Sequence, residues 1–385
     1  VLHIIAKMEW NYEKEKNSSM LFQYGPTSGT FEARSAIAKY FTSMYGSKVN
    51  SEELIVTSGA TQGLHLIIST LVDFNGFVFV DEVTYMIALD AIKQFSTLTV
   101  IPGIKLNDDG VDLVDLEQCF KQKQFRSNSK EFWGMYYTIP IYHNPTGILF
   151  SESNGIIELA RKYDVLVCCD DVYNILYYND SHAPRRLFAY DECTDLCFRG
   201  NVISNGSFSK IIGPGVRLGW LEAPSPLYVL NCIRNSGIIN SGGCLNNYTA
   251  GIISSLFELG LAQQHIILLY EAYKERMLAT CEILSKELPT SCRMLQPRGG
   301  YFIWITLPKD KDANDFLQFC LMNEKIFFIP GSRFSANNSA NNCFRIAIAF
   351  HNKDKLIDDC PPDIVYKYLT VILINMYIHI CIGNS

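Results

Sequence analysis

The residues with the clearest chemical capacity lie in Ser204–Trp220, which reads SNGSFSKIIGPGVRLGW. Lys210 follows the hydroxyls of Ser207 and Ser209 and precedes Arg217 by seven residues. A lysine amine that condenses with an aldehyde must be positioned and shielded from water. Hydroxyls and a guanidinium are the groups that would bind a phosphate on the same aldehyde. The spacing therefore indicates a site for a phosphorylated aldehyde, although a Ser/Gly loop with two scattered cations also explains this segment alone.

Two further motifs follow strand-like runs and suit anions or flat rings. In SGATQ, residues 58–62, the small residues Gly59, Ala60 and Thr61 open a helical pattern. Unpaired backbone N–H groups and the helix dipole attract phosphate there, but an ordinary Ser/Thr cap fits equally well. In DEVTY, residues 81–85, Tyr85 could lay its ring on a flat cofactor, or it could be a rim or core residue.

Two more motifs place directed polar groups after apolar runs. In HNPTG, residues 143–147, proline and glycine indicate a turn, and Asn144 offers an amide. In CDDVY, residues 169–173, a carboxylate leaves a buried strand, which is costly unless it meets a cation. A protonated pyridine nitrogen is such a cation. Asp170 or Asp171 could take this role, and for Asp171 a helix cap stays an open alternative.

The elements that must position these motifs alternate along the chain. Apolar and β-branched runs predict strands at Leu54–Thr57, Phe77–Val80, Leu98–Ile101, Met135–Ile139, Val165–Cys169, Val202–Ser204 and Leu218–Ala223. Apolar residues at every third or fourth position predict helices at Phe31–Tyr40, Thr61–Leu71, Tyr85–Gln94 and Glu152–Tyr163. This rhythm predicts an α/β fold, a three-layer sandwich with a mostly parallel central sheet. The motifs should meet beyond the carboxyl ends of its strands.

The pattern changes after residue 245. Residues Asn246–Leu288 predict a long, mostly helical connection, followed by a smaller α/β lobe. Its predicted elements are the strand Tyr301–Thr306, the helix Asn314–Asn323 and the strand Cys343–Ala349. We therefore divide the chain into an N-terminal segment, a large domain, a linker helix with a small domain, and an apolar tail: 1–34, 35–245, 246–360 and 361–385.

The composition of the chain argues against a nucleic-acid-binding, a secreted disulfide-linked or a membrane protein. The chain has 385 residues and a net charge of −6, with dispersed bases that do not suggest a nucleic-acid surface. Its 13 cysteines form no paired C-x-x-C motif, so free thiols in a reducing compartment and no metal site are expected. No secretory leader is visible after Val1, and the apolar run Leu369–Ile382 is shorter than the roughly 20 residues of a membrane span. We expect a cytoplasmic protein without membrane partners; a mitochondrial location stays open, since the natural N-terminus could precede Val1.

Together these segments resemble a known family. In order they are YGPTSG, SGATQ, DEVTY, HNPTG, DDVY, SFSK with Arg217, PRGGYFIW and FRIAIAF. The series is similar to the fold-type I aminotransferases of class I/II, which depend on pyridoxal 5′-phosphate (PLP). Its nearest subgroup acts on 2-aminoadipate, kynurenine and aromatic amino acids. The resemblance runs from about Phe22 to about His351, and HNPTG and SFSK-x6-R in the correct order are its most specific parts.

The resemblance implies a role for each matching residue. Lys210 would bind the PLP aldehyde as a Schiff base and later carry a proton between the substrate Cα and C4′ of the cofactor. Asp170 would keep the pyridine nitrogen protonated, so that the ring accepts electrons. Asn144 and Tyr173 would donate hydrogen bonds to O3′ of PLP, and Tyr85 would stack on its ring.

The resemblance also implies how phosphate and substrate are held. The phosphate ligands would be Gly59, Ala60, Thr61, Ser207, Ser209, Arg217 and Tyr24 of the partner subunit. Arg345 would clamp the substrate α-carboxylate with its planar fork, next to Asn144. The alternative for Arg345 is a surface arginine at a strand end, and its apolar neighbours in FRIAIAF argue against it.

The implied protein is a homodimeric transaminase that moves an amino group from an L-amino acid to a 2-oxo acid such as 2-oxoglutarate. The donor would be of the aminoadipate, kynurenine, aromatic or branched type. Two rivals are a PLP-dependent C–S β-lyase on the same scaffold and a non-catalytic amino-acid sensor, although no helix-turn-helix pattern precedes Phe22. Two departures from the family, the short segment before Phe22 and the helix-breaking Pro361-Pro362, bear on dimer stability and pocket closure.

Overall fold

A computed structural model of the chain describes residues 22–123, 129–151, 153–178, 182–224, 228–242, 246–323, 325–337 and 339–358. The predictions on Pro361-Pro362 and on the apolar run Leu369–Ile382 fall outside these residues. The described cysteines are free thiols, as the sequence predicts.

Helices and strands alternate through the first two thirds of the described chain. The strands are β1 Leu54–Thr57, β2 Val72–Asp81, β3 Thr99–Ile104, β4 Leu106–Asn107, β5 Gly110–Val111, β6 Phe132–Thr138, β7 Leu166–Asp170, β8 Val202–Ser207, β9 Gly219–Glu222, β10 Arg293–Met294, β11 Phe302–Thr306, β12 Ile329–Pro330 and β13 Cys343–Ala347. The helices are α1 Phe31–Tyr45, α2 Ala60–Leu71, α3 Met86–Lys93, α4 Leu113–Lys123, α5 Ser153–Tyr163, α6 Tyr228–Arg234, α7 Gly237–Gly242, α8 Asn247–Glu258, α9 Leu261–Glu287, α10 Ala313–Asn323 and α11 Lys353–Asp358.

The central sheet has seven strands in the order β1-β9-β8-β7-β6-β2-β3. The ladders from β8 through β7, β6 and β2 to β3 are all parallel. Strand β9 runs antiparallel to both β8 and β1. It follows β8 without an intervening α-helix, so it returns beside β8 in the opposite direction. This arrangement confirms the predicted α/β fold with its mostly parallel sheet.

Both faces of the central sheet are buried, and the alternation of side chains decides which face each residue serves. In β7, Leu166 and Cys168 belong to one buried cluster, whereas Val167 and Cys169 belong to the other. Asp170 continues the first of these two rows. The chain thus delivers the carboxylate of Asp170 to a defined face at the end of a buried strand.

A second, four-stranded antiparallel sheet follows the long helix α9, in the order β10-β11-β13-β12. Its strand β13 carries Arg345, which lies opposite Trp304 of β11 and Ile329 of β12. The backbone N–H of Thr84, just past β2, donates to the carbonyl of Phe334 at 2.8 Å. The second sheet is therefore tied to the same edge of the large sheet that holds the motifs.

The predicted elements are found, but several bounds were wrong. Strands β2 and β6 begin earlier than predicted, at Val72 and Phe132, and β8 extends to Ser207. The connection predicted as one helical stretch is two helices, α8 and α9, which meet at Gly260. Gly260 has φ 71°, a left-handed conformation that glycine adopts without strain, and it ends the first helix there.

Among the helices that the structure describes, none is by itself both long and apolar enough to cross a bilayer. Helices α8 and α9 meet that test only as a pair, bent by 81°, and only by length and composition.

Candidate active site

One edge of the central sheet collects the ends of four strands that run in the same direction. Strand β7 ends at Asp170, and β8 passes at Ser207 into a 3-10 turn, Phe208–Lys210. Strand β1 leads into helix α2 at Ala60, and β6 leads into the turn that carries Asn144. Because parallel strands end at the same edge, motifs far apart in sequence meet in space.

Ten of the predicted cofactor-binding residues line one cavity of the structure. They are Ala60, Thr61, Tyr85, Asn144, Asp170, Tyr173, Ser207, Ser209, Lys210 and Arg217. Four apolar side chains that the sequence analysis did not single out complete the lining: Leu64, Ala88, Ile139 and Val172.

Three predicted residues do not line this cavity. Gly59 lies against the guanidinium of Arg217, which does line the cavity. Arg345 reaches the site through a hydrogen bond to Asn144. Tyr24 is 82% exposed and packs beside Gly242 of its own chain. Tyr24 therefore does not serve the site of its own protomer in this structure.

Asp170 is only 7% exposed, and its two carboxylate oxygens have different surroundings. Oδ2 accepts a hydrogen bond from the Tyr137 hydroxyl at 2.6 Å. Oδ1 is buried and has no hydrogen-bond partner among the described residues. Burial raises the pKa of Asp170 to about 6, and the Tyr137 hydrogen bond and the Lys210 charge act in the opposite direction. A buried carboxylate with one unpaired oxygen is suited to receive a cation.

Lys210 lies at the end of the 3-10 turn, partly buried, with its Nζ 5.9 Å from the centre of the Tyr301 ring. Burial lowers the pKa of this amine, while the charge of Asp170 raises it. The cations Arg345 and Arg217 lower the pKa further. A lowered pKa increases the neutral fraction of a lysine, and the neutral amine is the nucleophile.

Helix α2 and Arg217 form the end of the cavity that suits an anion. Helix α2 has Gly59 at its N-cap, so no side chain caps its first N–H groups. Arg217 donates to the Ser209 hydroxyl at 3.4 Å and to the Ser58 carbonyl at 3.4 Å. The Ser207 and Ser209 hydroxyls lie 3.0 Å apart. A guanidinium, two hydroxyls and free backbone donors together match a phosphate.

Arg345 is held in a fixed orientation although it belongs to the second sheet. Its Nη1 donates to Asn144 Oδ1 at 2.7 Å, and Asn144 Nδ2 donates to the Tyr173 hydroxyl at 3.3 Å. The guanidinium lies over two rings, 4.0 Å from the centre of Phe302 and 4.8 Å from that of Phe334. Its Nε is buried and unpaired within the described residues. The arrangement leaves donors of Arg345 available for a carboxylate.

The turn that carries Asn144 rests on a buried polar network that the sequence analysis missed. His143 Nε2 lies 3.3 Å from Asp81 Oδ2, and neither side chain is exposed. Asp81 also accepts hydrogen bonds from Tyr136 at 2.6 Å and from Thr138 at 2.9 Å. The sequence signal was available, since Asp81 and His143 each follow a buried strand at the same sheet edge. The contact between Asp81 and His143 holds the turn that carries Asn144 against the end of strand β2.

These observations fit PLP, the cofactor that the sequence resemblance implies. The unpaired Oδ1 of Asp170 suits a ring nitrogen cation, and the partly buried amine of Lys210 suits an aldehyde. The uncapped start of α2 and the guanidinium of Arg217 suit a phosphate dianion.

Comparisons with known proteins point the same way. The family model for aminotransferase class I and II matches residues 4–357. An aromatic-amino-acid aminotransferase of Thermococcus litoralis is 30% identical over 89% of this chain and 79% of its own length. A 2-aminoadipate transaminase of Thermus thermophilus is 27% identical over 90% of this chain and 81% of its own. The crystal structure of the Pyrococcus horikoshii kynurenine aminotransferase is similar with a TM-score of 0.78 and 28% identity, over 92% of this chain and 85% of that chain. This chain therefore belongs to the PLP-dependent aminotransferases of class I and II.

Proposed function

We propose that this aminotransferase takes its amino group from an L-amino acid with a large side chain, of the aromatic or kynurenine type. Aminoadipate and branched amino acids are the further donors to test, and 2-oxoglutarate is the proposed acceptor. The observation that carries the proposal is that Lys210 and Asp170 line one cavity, to which Arg345 is joined through Asn144. These are the groups that the transfer of an amino group between carboxylic acids requires.

Each residue has a proposed task. Lys210 holds the cofactor through Nζ and, once released by the incoming amino acid, moves the proton from the substrate Cα. Arg345 binds the substrate α-carboxylate by its fork, and Asn144 keeps that fork in place. Asp170 presents a carboxylate to the ring nitrogen. When bound, PLP supplies the electron sink that stabilises the substrate carbanion.

The preference for a large side chain rests on the aromatic groups around Lys210. The centre of the Tyr301 ring lies 5.9 Å from Nζ of Lys210, and Tyr301 is not among the residues that line the proposed PLP cavity. Tyr173 and Tyr301 meet edge to face with ring centres 5.4 Å apart. Such rings bind aromatic side chains through area and edge-to-face contact. The relatives named for aromatic amino acids and kynurenine support the same class of donor.

We further propose that the chain acts as a homodimer in which Tyr24 reaches the site of the other protomer. This proposal is supported by three aromatic side chains that are largely exposed in the single chain, Phe22, Tyr24 and Phe31. Neighbouring exposed aromatic side chains are typical of a surface that contacts another protein. A monomeric enzyme with full activity in sedimentation and turnover assays would refute this part.

The test of the donor is a panel of L-amino acids with 2-oxoglutarate, followed by the amount of glutamate formed. We expect kcat/KM for phenylalanine, tyrosine and kynurenine to exceed that for alanine and aspartate by at least about tenfold, which corresponds to about 1.4 kcal/mol. Equal or reversed values would overturn the proposed donor class. Pyruvate and ammonia formed from cysteine conjugates without an oxo acid would support the C–S β-lyase instead.

A further inference from the structure

Tyr137 makes the only direct hydrogen bond that the described side chains donate to Asp170. Its hydroxyl lies 2.6 Å from Oδ2, and both side chains are buried. The residue lies in β6, beside Cys168 of β7 in the register of the parallel pair. It does not line the cavity, so it acts on a ligand only through Asp170.

The neighbouring Tyr136 provides an internal comparison. It is equally buried and makes an equally short hydrogen bond, 2.6 Å, to a carboxylate oxygen of Asp81. Because side chains alternate along a strand, Tyr136 and Tyr137 serve opposite faces of the sheet. Only the face of Tyr137 leads to Asp170. The two tyrosines thus bind different carboxylates, and of these only Asp170 lines the cavity.

We propose that Tyr137 is a positioning residue for the cofactor: its hydroxyl occupies Oδ2 of Asp170 and so keeps the carboxylate ionised and its Oδ1 free for the ring nitrogen of PLP. This inference rests on the proposed role of Asp170. A hydrogen bond to the charged form of an acid favours that form, and here it opposes burial, which disfavours it.

The groups that face Asp170 belong to several elements. Tyr137 approaches from β6, Lys210 from the turn after β8, and Tyr85 from the start of α3. Its own segment contributes Asp171, Tyr173 and the thiol of Cys168, whereas the Cys169 thiol lies on the opposite face of the sheet. Lys210 favours the ionised form and Asp171 disfavours it. Among the neutral groups, Tyr137 alone donates a hydrogen bond to the carboxylate within the described chain.

The test is the dissociation constant of PLP, measured from the absorption of the bound cofactor between pH 5 and pH 9. The holoenzyme is dialysed and then titrated with PLP. Tyr137→Phe should weaken PLP binding about ten- to a hundredfold at neutral pH, since hydrogen bonds to charged groups contribute on that scale. The pH below which affinity falls should rise by about one to two units, because the ionised form of Asp170 has lost a donor.

Three further variants separate this role from mere packing. Tyr163→Phe removes another tyrosine hydroxyl that donates to a carboxylate, that of Glu117 at 2.9 Å, and it should leave the pH dependence of PLP binding unchanged. In an Asp170→Asn background, Tyr137→Phe should change the dissociation constant by less than about twofold, because the two residues act as a unit. Replacing Tyr137 by 3-fluorotyrosine, a stronger hydrogen-bond donor of almost the same shape, should lower the pH below which PLP affinity falls.

The proposal is overturned if Tyr137→Phe binds PLP like the wild type at every pH, or if its loss is equally large in the Asp170→Asn background. If Tyr137→Phe does not fold, the proposal is overturned by a fluorotyrosine protein whose PLP affinity falls at the same pH as that of the wild type. A wild-type protein that binds no PLP at all would instead refute the proposed function, so the two failures are distinct.

Discussion

Replacing Asp170 by asparagine should stabilise the cofactor-free protein at neutral pH while it weakens PLP binding. Burial without a bound cation raises the pKa of Asp170 from 3.8 to about 6. Between these values the folded protein keeps a proton that the unfolded chain releases, so the free energy of unfolding falls as pH rises. The difference between the two pKa values lowers the free energy of unfolding by about 3 kcal/mol above pH 6. Below pH 3.8, the pKa in the unfolded chain, it has no effect.

Asparagine carries no charge, so its own effect on stability does not depend on pH. It can still accept the hydrogen bond of Tyr137, although its amide replaces an oxygen without a partner. The informative quantity is therefore the change with pH and not the absolute difference. We expect the stability of Asp170→Asn relative to wild type to be about 2 kcal/mol greater at pH 7.5 than at pH 4.5.

The assay is urea unfolding of the cofactor-free proteins at both pH values, followed by tyrosine and tryptophan fluorescence. The matched control is Asp90→Asn, which removes the same charge from an exposed position of α3. It should show no comparable change with pH. A relative stability of Asp170→Asn that is the same at both pH values, or that falls as pH rises, would show that burial does not raise the pKa of this carboxylate.

Two other variants test the remaining parts of the site. Arg345→Gln should raise KM for both the amino acid and the oxo acid about 30- to 1000-fold, because the substrate carboxylate loses a buried charge partner, and the absorption of bound PLP should be retained. The control is Arg333→Gln, which changes an exposed arginine and should leave KM unchanged. An unchanged KM in Arg345→Gln would show that Arg345 does not bind the carboxylate. Gly59→Ala should weaken PLP binding, because φ is 99° and the new Cβ would lie 3.0 Å from Nη2 of Arg217. In Gly213→Ala the new Cβ would have no atom within 4 Å, so this variant should bind PLP normally. Equal PLP affinities of the two variants would show that the contact with Arg217 does not weaken binding.

The sequence was informative where the signal is local. The turn at Asn144, the strand that ends in Asp170 and the SFSK segment each carry their own chemistry, and the parallel sheet then brings them to one edge. Strand β1 was predicted with the bounds that the structure has, since its apolar run is short and flanked by turn residues. The break at Gly260 was missed because apolar periodicity continues through it.

The supporting residues were harder to predict because they look like core. Tyr137 lies in an aromatic strand, and nothing in its own neighbourhood distinguishes it from Tyr136. Its partner is 33 residues away in sequence, so only strand register reveals the contact. The same holds for Asp81 and His143, and for Phe302 and Phe334 around the guanidinium of Arg345, whose approach depends on how the second sheet packs.

The proposed mechanism requires that one amine, Nζ of Lys210, holds the cofactor. The most direct measurement is borohydride reduction of the purified holoenzyme, which fixes PLP on its lysine, followed by proteolysis and mass spectrometry of the peptides. The label should be found on the peptide that contains Lys210, and Lys210→Ala should show no label there. A label on a different lysine, or reduced wild-type enzyme with no labelled peptide, would show that Lys210 does not hold the cofactor.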